Sequence, residues 1–182
     1  MFRVLNRKIG ADVTVLLDKQ GKVLVSSDPT ITGIDFAWRP FFKSAINGDS
    51  VSYLTRGAVS GLPRVFFARP VVDASAAIRA VIVAGFNLES VLGDNVRMDD
   101  VILNRKGVIL YGPPSLDRGA LFPLGDSRDV LLNERLFTED GLEPLGYQKL
   151  ANPWIRDDSG RLWLWVSSPL PGGEWKLSKL LS

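Results

Sequence analysis

With 182 residues the chain has room for one large domain or two small ones, and an apolar content of 46% allows a real core. A net charge of +2 without a Lys/Arg run makes no case for nucleic acid or an anionic membrane as partner. Cys and His are both absent, which excludes disulfides, zinc–thiolate sites, Cys nucleophiles and the usual serine triad, leaving only carboxylates to hold a metal and the redox compartment open.

The start, Met1 to Ile9, is too short and too charged for a signal peptide and reads as the last turns of a truncated amphipathic helix, with Val4, Leu5 and Ile9 on one side. No apolar run approaches the roughly 18–20 residues that span a bilayer. Asp12 to Leu17 and Lys22 to Ser26 have strand composition, and Asp18-Lys19-Gln20-Gly21 between them is a hairpin turn in which Gly21 supplies positive φ. Ser27 to Gly33 is a turn-rich loop.

The loop leads into Asp35-Phe36-Ala37-Trp38-Arg39-Pro40-Phe41-Phe42, one guanidinium among four aromatic rings, followed by Lys43 to Gly48. Asp35 is expected to cap a short helix, Pro40 to occupy its first turn and Gly48 to stop it. Two readings of Arg39 stand on the residues alone. The rings are core and the guanidinium snorkels or pairs with an acid, or it holds an anion bidentately at a helix start.

Ser50 to Arg56 alternates like a strand, with Val51, Tyr53 and Thr55 on one face. After the loop Gly57 to Pro63, Arg64 to Val72 is a strand whose Pro70 requires an edge or a bulge. Asp73 to Ala76 turns the chain into a strongly apolar, central strand, Ala77 to Phe86, and Asn87 to Gly93 is a short capped helix. Neighbours joined by hairpins imply an antiparallel sheet with the helix on one face.

The pattern then restarts. Val15 to Val25 aligns without gaps on Val101 to Tyr111, an offset of 107 − 21 = 86, which points to an internal repeat with its boundary at Gly93 to Met98. The second block continues with a Gly/Pro-rich loop (112–123), a weak helix from Asp126 to Phe137, an irregular segment to Pro153, an acidic turn at Asp157 to Gly160, a strand from Arg161, a tight turn at Pro171-Gly172-Gly173 and a closing strand from Glu174. Four Trp (154, 163, 165 and 175) fall here, either as filling for a small core and its interface or as a stacking platform. Asp99-Asp100 and Asp157-Asp158 read as strand-end and turn acids rather than an acid/base couple. No phosphate loop or nucleophile elbow occurs, so an enzyme is disfavoured and no cofactor is implied.

These words, in this order, resemble the double Cache (PAS-like, double-PDC) extracytoplasmic sensor family. The stretch from Asp35 to Gly48 is similar to the asparagine-tyrosine-x-phenylalanine-arginine-proline-tyrosine-phenylalanine motif and alanine-x-glycine helix end of four-carbon dicarboxylate sensor kinases. Phe66 to Val71 resembles the family's strand ending in proline-valine, and Ala80 to Ala84 its glycine-valine-valine strand. Ser167 to Pro171 with Trp175-Lys176-Leu177 resembles the close of its membrane-proximal domain.

The resemblance implies an α+β chain of two tandem PAS-like lobes, each an antiparallel sheet flanked by helices, with the N-terminal helix truncated. Residues 1–96 would be the membrane-distal, ligand-binding lobe and 97–182 the membrane-proximal lobe. It implies a periplasmic or extracellular portion of an inner-membrane receptor, non-catalytic itself, whose parent is a histidine kinase, diguanylate cyclase or chemoreceptor. The ligand would be a small organic carboxylate at Arg39 and Arg64, with Phe36, Trp38, Phe41, Tyr53, Arg56 and Phe66 around it. Asp73 stands near the place of an aspartate that takes an amino-acid ammonium. Phe36 and Phe41 replace tyrosines and remove two hydroxyl donors, which admits a less polar or aromatic acid in place of an amino acid. The N-terminal helix would carry a homodimer contact. The alternative is a ligand-free dimerisation or protein-interaction module.

Overall fold

The computed structural model describes residues 2–57, 59–93, 97, 99–116, 119–133, 137, 139–170 and 175–181. The chain forms two compact units, Met1–Leu92 and Gly93–Ser182.

The first unit opens with α1 (Phe2–Ile9), which packs on β1 (Val13–Leu17) and β2 (Val23–Ser26). A single 3-10 turn, Pro29–Ile31, and α2 (Pro40–Ala45) come next. Then come β3 (Val51–Arg56), β4 (Pro63–Val72), β5 (Ile78–Asn87) and α3 (Leu88–Leu92). All strand pairs are antiparallel, in the order β2-β1-β5-β4-β3. The alternation of the strands points Val13, Val15, Phe66, Ala68, Val81 and Val83 to one face, where Phe36, Phe41, Phe42 and Ala45 complete the core. Pro70 is tolerated because β3 begins at Val51, opposite Ala68, so β4 has no partner on that side beyond it.

The second unit contains β6 (Asp100–Asn104), β7 (Ile109–Tyr111), α4 (Ser127–Asn133), β8 (Gln148–Lys149), β9 (Trp154–Arg156), β10 (Leu162–Pro169) and β11 (Trp175–Leu181). Its sheet runs β7-β6-β11-β10-β9-β8, the same meander as the first with a short strand added at one edge. The expected helix to Phe137 is seen as α4, and its continuation over 134–136 lies outside the described residues, as does the turn expected at Pro171 to Gly173. The four Trp do not form the core. Trp154 is 46% exposed, Trp163 and Trp165 are half-buried, and the fully buried residues are aliphatic: Val101, Ile102, Leu103, Leu121 and Ile155.

The repeat is structural. In the first hairpin Asp18 Oδ1 accepts from Gln20 N and Lys22 N, both at 2.9 Å; in the second Asn104 Oδ1 accepts from Lys106 N and Val108 N, both at 2.9 Å. Gly21 and Gly107 sit in these turns at φ +89° and +85°. The likeness extends past the hairpins, for in each unit a returning segment bridges the outer strand. Phe36 N donates to Gly21 O at 2.8 Å, and Leu121 N to Gly107 O at 3.0 Å. Here the offset is 121 − 36 = 85, one less than in the hairpins, so the second loop is one residue shorter. On that register Leu124 stands where the first unit has Arg39 (124 − 39 = 85).

Candidate functional site

The segment that carries Arg39 is a string of tight turns. Asp35 does not cap α2: its Oδ1 accepts from Ala37 N at 2.7 Å and its carbonyl accepts from Trp38 Nε1 at 3.1 Å. This Asx-turn uses the same side-chain chemistry as a helix cap, which is why the sequence does not separate them. The residue before α2 is Arg39 itself, held extended (ψ 133°) by the proline after it. Pro40 occupies the first helical turn and Gly48 lies beyond the helix at φ +106°.

Arg39 is 2% exposed. Its Nη1 and Nη2 both donate to the Arg56 carbonyl at 3.3 Å, and its guanidinium carbon lies 4.4 Å from the Trp38 ring centroid and 6.0 Å from that of Phe41. Among the described residues no carboxylate pairs with it. Burial pushes its pKa down from 12.5 to about 10, an effect opposed by the nearby Tyr53 phenol. At neutral pH the group is therefore a charged guanidinium in an apolar setting, with two of its five N–H groups used on one carbonyl.

A cavity of about 110 Å³ opens beside it. Val13 and Val15 of β1 and Val83 and Gly85 of β5 form its floor. Phe36, Phe41 and Phe66 form the aromatic wall, in which Phe41 and Phe66 stack at 5.3 Å. Gly85 is opposite Phe66 in the sheet, and a Cβ there would come within 2.9 Å of the Phe66 ring and of Val13. Among the described residues, three charged ones line the cavity: Arg39, Arg64 and Asp28. Arg64 Nε is buried with no hydrogen-bond partner among the described residues, as is the hydroxyl of Thr55, the residue paired with Arg64 across β3 and β4.

Of the residues expected at a site, Phe36, Arg39, Phe41, Arg64 and Phe66 line this cavity. Trp38 stacks on Arg39 rather than lining the cavity, Tyr53 lies beside Phe66 across the strands, and Arg56 contributes its carbonyl while its Nη1 donates to Gly61 O at 3.0 Å. Asp73 is elsewhere. It sits in the β4–β5 turn, nine residues past Arg64 and so roughly 30 Å along the strand. There its Oδ1 accepts from Ser75 Oγ at 2.7 Å and its Oδ2 takes Arg79 Nε at 2.6 Å. Several lining residues lie outside the expected set, among them Asp28 and the floor valines. Asp28 has the sequence signature of a turn residue before a proline, and only the fold brings that turn to the cavity. The floor valines carry no polar signal, although their alternation along β1 and β5 marks that face as inward.

This arrangement offers two guanidiniums for a carboxylate and rings for an apolar body. It offers no acid/base couple, and among the described residues no three of His, Cys, Asp and Glu gather as a metal-binding group.

The Cache domain family (double Cache, type 1) matches residues 1–178. The chain belongs to the Cache domain family. It is a double Cache sensor domain, similar to those of C4-dicarboxylate sensor kinases. The C4-dicarboxylate transport sensor protein DctB of Rhizobium meliloti (strain 1021) is 27% identical over 200 residues, which cover 97% of this chain and 32% of that protein. The chain thus spans about a third of the curated relative it matches. The sensor domain of the V. cholerae histidine kinase DctB superposes with a TM-score of 0.86 at 24% identity, over 99% of this chain and 75% of that one. The periplasmic domain of RsbU from Chlamydia trachomatis gives 0.74 at 14% identity, over 98% and 74%. These two likenesses establish the fold: two antiparallel sheets in tandem, as expected of Cache lobes.

Proposed function

We propose that this double Cache domain is the extracytoplasmic sensor of an inner-membrane receptor and that its first unit binds a small organic carboxylate at Arg39 and Arg64, controlling a cytoplasmic output module. Residues 1–96 form the membrane-distal lobe in this reading and 97–182 the membrane-proximal one. Helix α1, whose Val4 and Ile9 are exposed, carries the dimer contact.

The observation that carries the reading is Arg39. Arg39 is a buried guanidinium with no acid beside it among the described residues; the Arg56 carbonyl and the Trp38 ring offset part of its desolvation, and a bound anion would offset the rest. Its spare N–H groups, and the unpartnered Nε of Arg64, suit a carboxylate that both arginines grip. Phe36, Phe41 and Phe66 give the rest of the ligand an apolar wall. The relative's name, a C4-dicarboxylate transport sensor, agrees with a carboxylate ligand in kind. Binding would act on output by favouring one of two arrangements of the receptor, through its different affinity for each.

The test is a thermal-shift panel of small organic acids. At a hundredfold excess over Kd a bound acid stabilises by about 2.7 kcal/mol, a rise of roughly 5–10 °C for a chain of this length. At least one carboxylate is expected to give that rise, and Arg39→Ala to abolish it. A flat response across the panel would favour the ligand-free interaction module instead.

A further inference from the structure

One wall of the cavity is made by a side chain that is missing. We infer that Gly85 sets the length of acid the site accepts: the notch it leaves seats the Phe66 ring against the sheet and keeps the apolar end of the cavity open for the body of a short-chain acid. The inference rests on the carboxylate reading above and deepens it by naming the residue that limits the ligand's size.

Gly85 lies within β5, the central strand, and is paired on both sides, with Val13 of β1 and with Phe66 of β4. Glycine weakens the interior of a strand, and there it often marks a close approach by another group. Its φ is not in the left-handed region, so conformational freedom does not explain it. Space does. A Cβ at this position would stand 2.9 Å from Phe66 Cε1 and from Val13 Cγ1, closer than packed carbon atoms come. Gly85, Phe66 and Val13 all line the cavity. The Phe66 ring thus lies in the notch over Gly85, and a methyl group there would displace it. Protein interiors are close-packed, so the open volume that can take the displaced ring is the cavity itself.

The second unit has the same register with the notch filled. Val101 faces Ser178 across β6 and β11 as Val15 faces Val83 across β1 and β5, and 101 − 15 = 86 is the hairpin offset. Two residues further on, Gly85 corresponds to Leu180, and their partners on the next strand, Phe66 and Trp165, correspond as well. Each of these rings packs on another: Phe66 on Phe41 with centroids 5.3 Å apart, Trp165 on Phe122 at 4.9 Å. Leu180 joins Trp165 and Phe122 against the buried cluster that contains Leu103 and Ile109. The sheet therefore accepts a large side chain at this place, and the first unit leaves it out where the cavity stands. The size of the site agrees with a small guest. At about 110 Å³ it is smaller than the void of about 150 Å³ that accepts benzene, which leaves room for roughly four to six non-hydrogen atoms plus whatever projects through the mouth.

The test must separate length from charge, and two homologous series do so. Binding of the monoacids acetate, propionate, butyrate and valerate and of the diacids malonate, succinate, glutarate and adipate is measured by calorimetry on the wild-type chain and on Gly85→Ala. Within a series that binds, each methylene that enters the wild-type cavity should tighten binding about fourfold. In Gly85→Ala the longest acid that the wild type binds should lose at least tenfold, while the shortest stays within threefold; a retained cooperative melting transition shows that the sheet is intact. Equal losses at every length, or no loss at any, would reduce Gly85 to a packing residue and overturn the inference while leaving the carboxylate reading intact. If Gly85→Ala does not fold, Phe66→Leu decides. A smaller side chain over the notch should favour the longest acid over the shortest by at least a further threefold, and an unchanged length profile would overturn the inference. No binding in either series would overturn both.

Discussion

In both units a side-chain-capped hairpin leads through a returning segment to a short helix, yet the residue approaching that helix is Arg39 in the first and Leu124 in the second. The surroundings differ accordingly. Leu124 packs with Leu132 and Phe137 against the buried cluster Val108, Leu131 and Leu142. Arg39 lies under Trp38 with its charge desolvated and a cavity at its side. One scaffold therefore exists in two versions within a single chain, one closed by hydrocarbon and one kept open around a cation. The aliphatic version shows that the scaffold does not need the arginine in order to form. That is the strongest reason for reading Arg39 as a functional residue rather than a structural one.

The largest expected effect separates the two hairpin glycines. A Cβ on Gly21 would lie 2.5 Å from the backbone of Ala37, in the segment that carries Arg39, whereas one on Gly107 meets nothing within 4 Å. Both sit at positive φ, so each Ala substitution carries a conformational cost of about 1 kcal/mol. Gly21→Ala adds overpacking, for a total of about 3 kcal/mol. Hydrogen exchange of the amides in each unit reads the two separately. Equal losses would mean that the first turn does not pin the Arg39 segment.

Next in size is the exchange at the helix entrance. Leu124→Arg puts a cation into the half-buried aliphatic setting of the second unit and should cost about 2 kcal/mol, moderated by the side chain's reach toward solvent. It should create no carboxylate response. A gain of binding there would show that position alone, without the cavity, makes the site.

The smallest effect is one in which the units should agree. Each has a turn carboxylate held near a pKa of about 2: Asp73, chiefly by the Ser75 hydroxyl, and Asp157, chiefly by that of Ser159. A depressed acid contributes stability that is present above its unfolded value of about 3.9 and is lost as pH falls through the folded one. Acid melting between pH 4 and 2 should weaken both units in the same window. Asp73→Asn and Asp157→Asn should each flatten the loss in its own unit.

Local chemistry is the part of this molecule that its sequence makes legible. The two hairpins can be read because Asp18 with Gly21, and Asn104 with Gly107, complete their turns within a few residues. Arg39 stands out because rings and a proline surround it in the chain itself. Asp35 shows the limit of such signals, since an Asx-turn and a helix cap use the same carboxylate-to-amide bond and differ only in the conformation of the next few residues. A ligand role for Asp73 is pre-empted by its own turn, with Ser75, Ala77 and Arg79 already on its oxygens. Asp28 escapes notice for the complementary reason. Its turn chemistry is visible, but its approach to the cavity depends on how the loop after β2 folds over β1 and β5. The short strands β8 and β9 are illegible because two or three residues carry no period.

The central claim is that the first unit gives up stability for a cation it uses on a guest, and Arg39→Met tests it most directly. Methionine keeps much of the length of the side chain and removes the charge. Thermal unfolding without ligand and calorimetric titration with the best acid of the panel are measured on the same preparation. The account predicts a melting temperature equal to or above that of the wild type, because a buried charge with no carboxylate partner among the described residues has been replaced by an apolar side chain, together with complete loss of carboxylate binding. A variant that melts far lower, or one that still binds the acid, would contradict it.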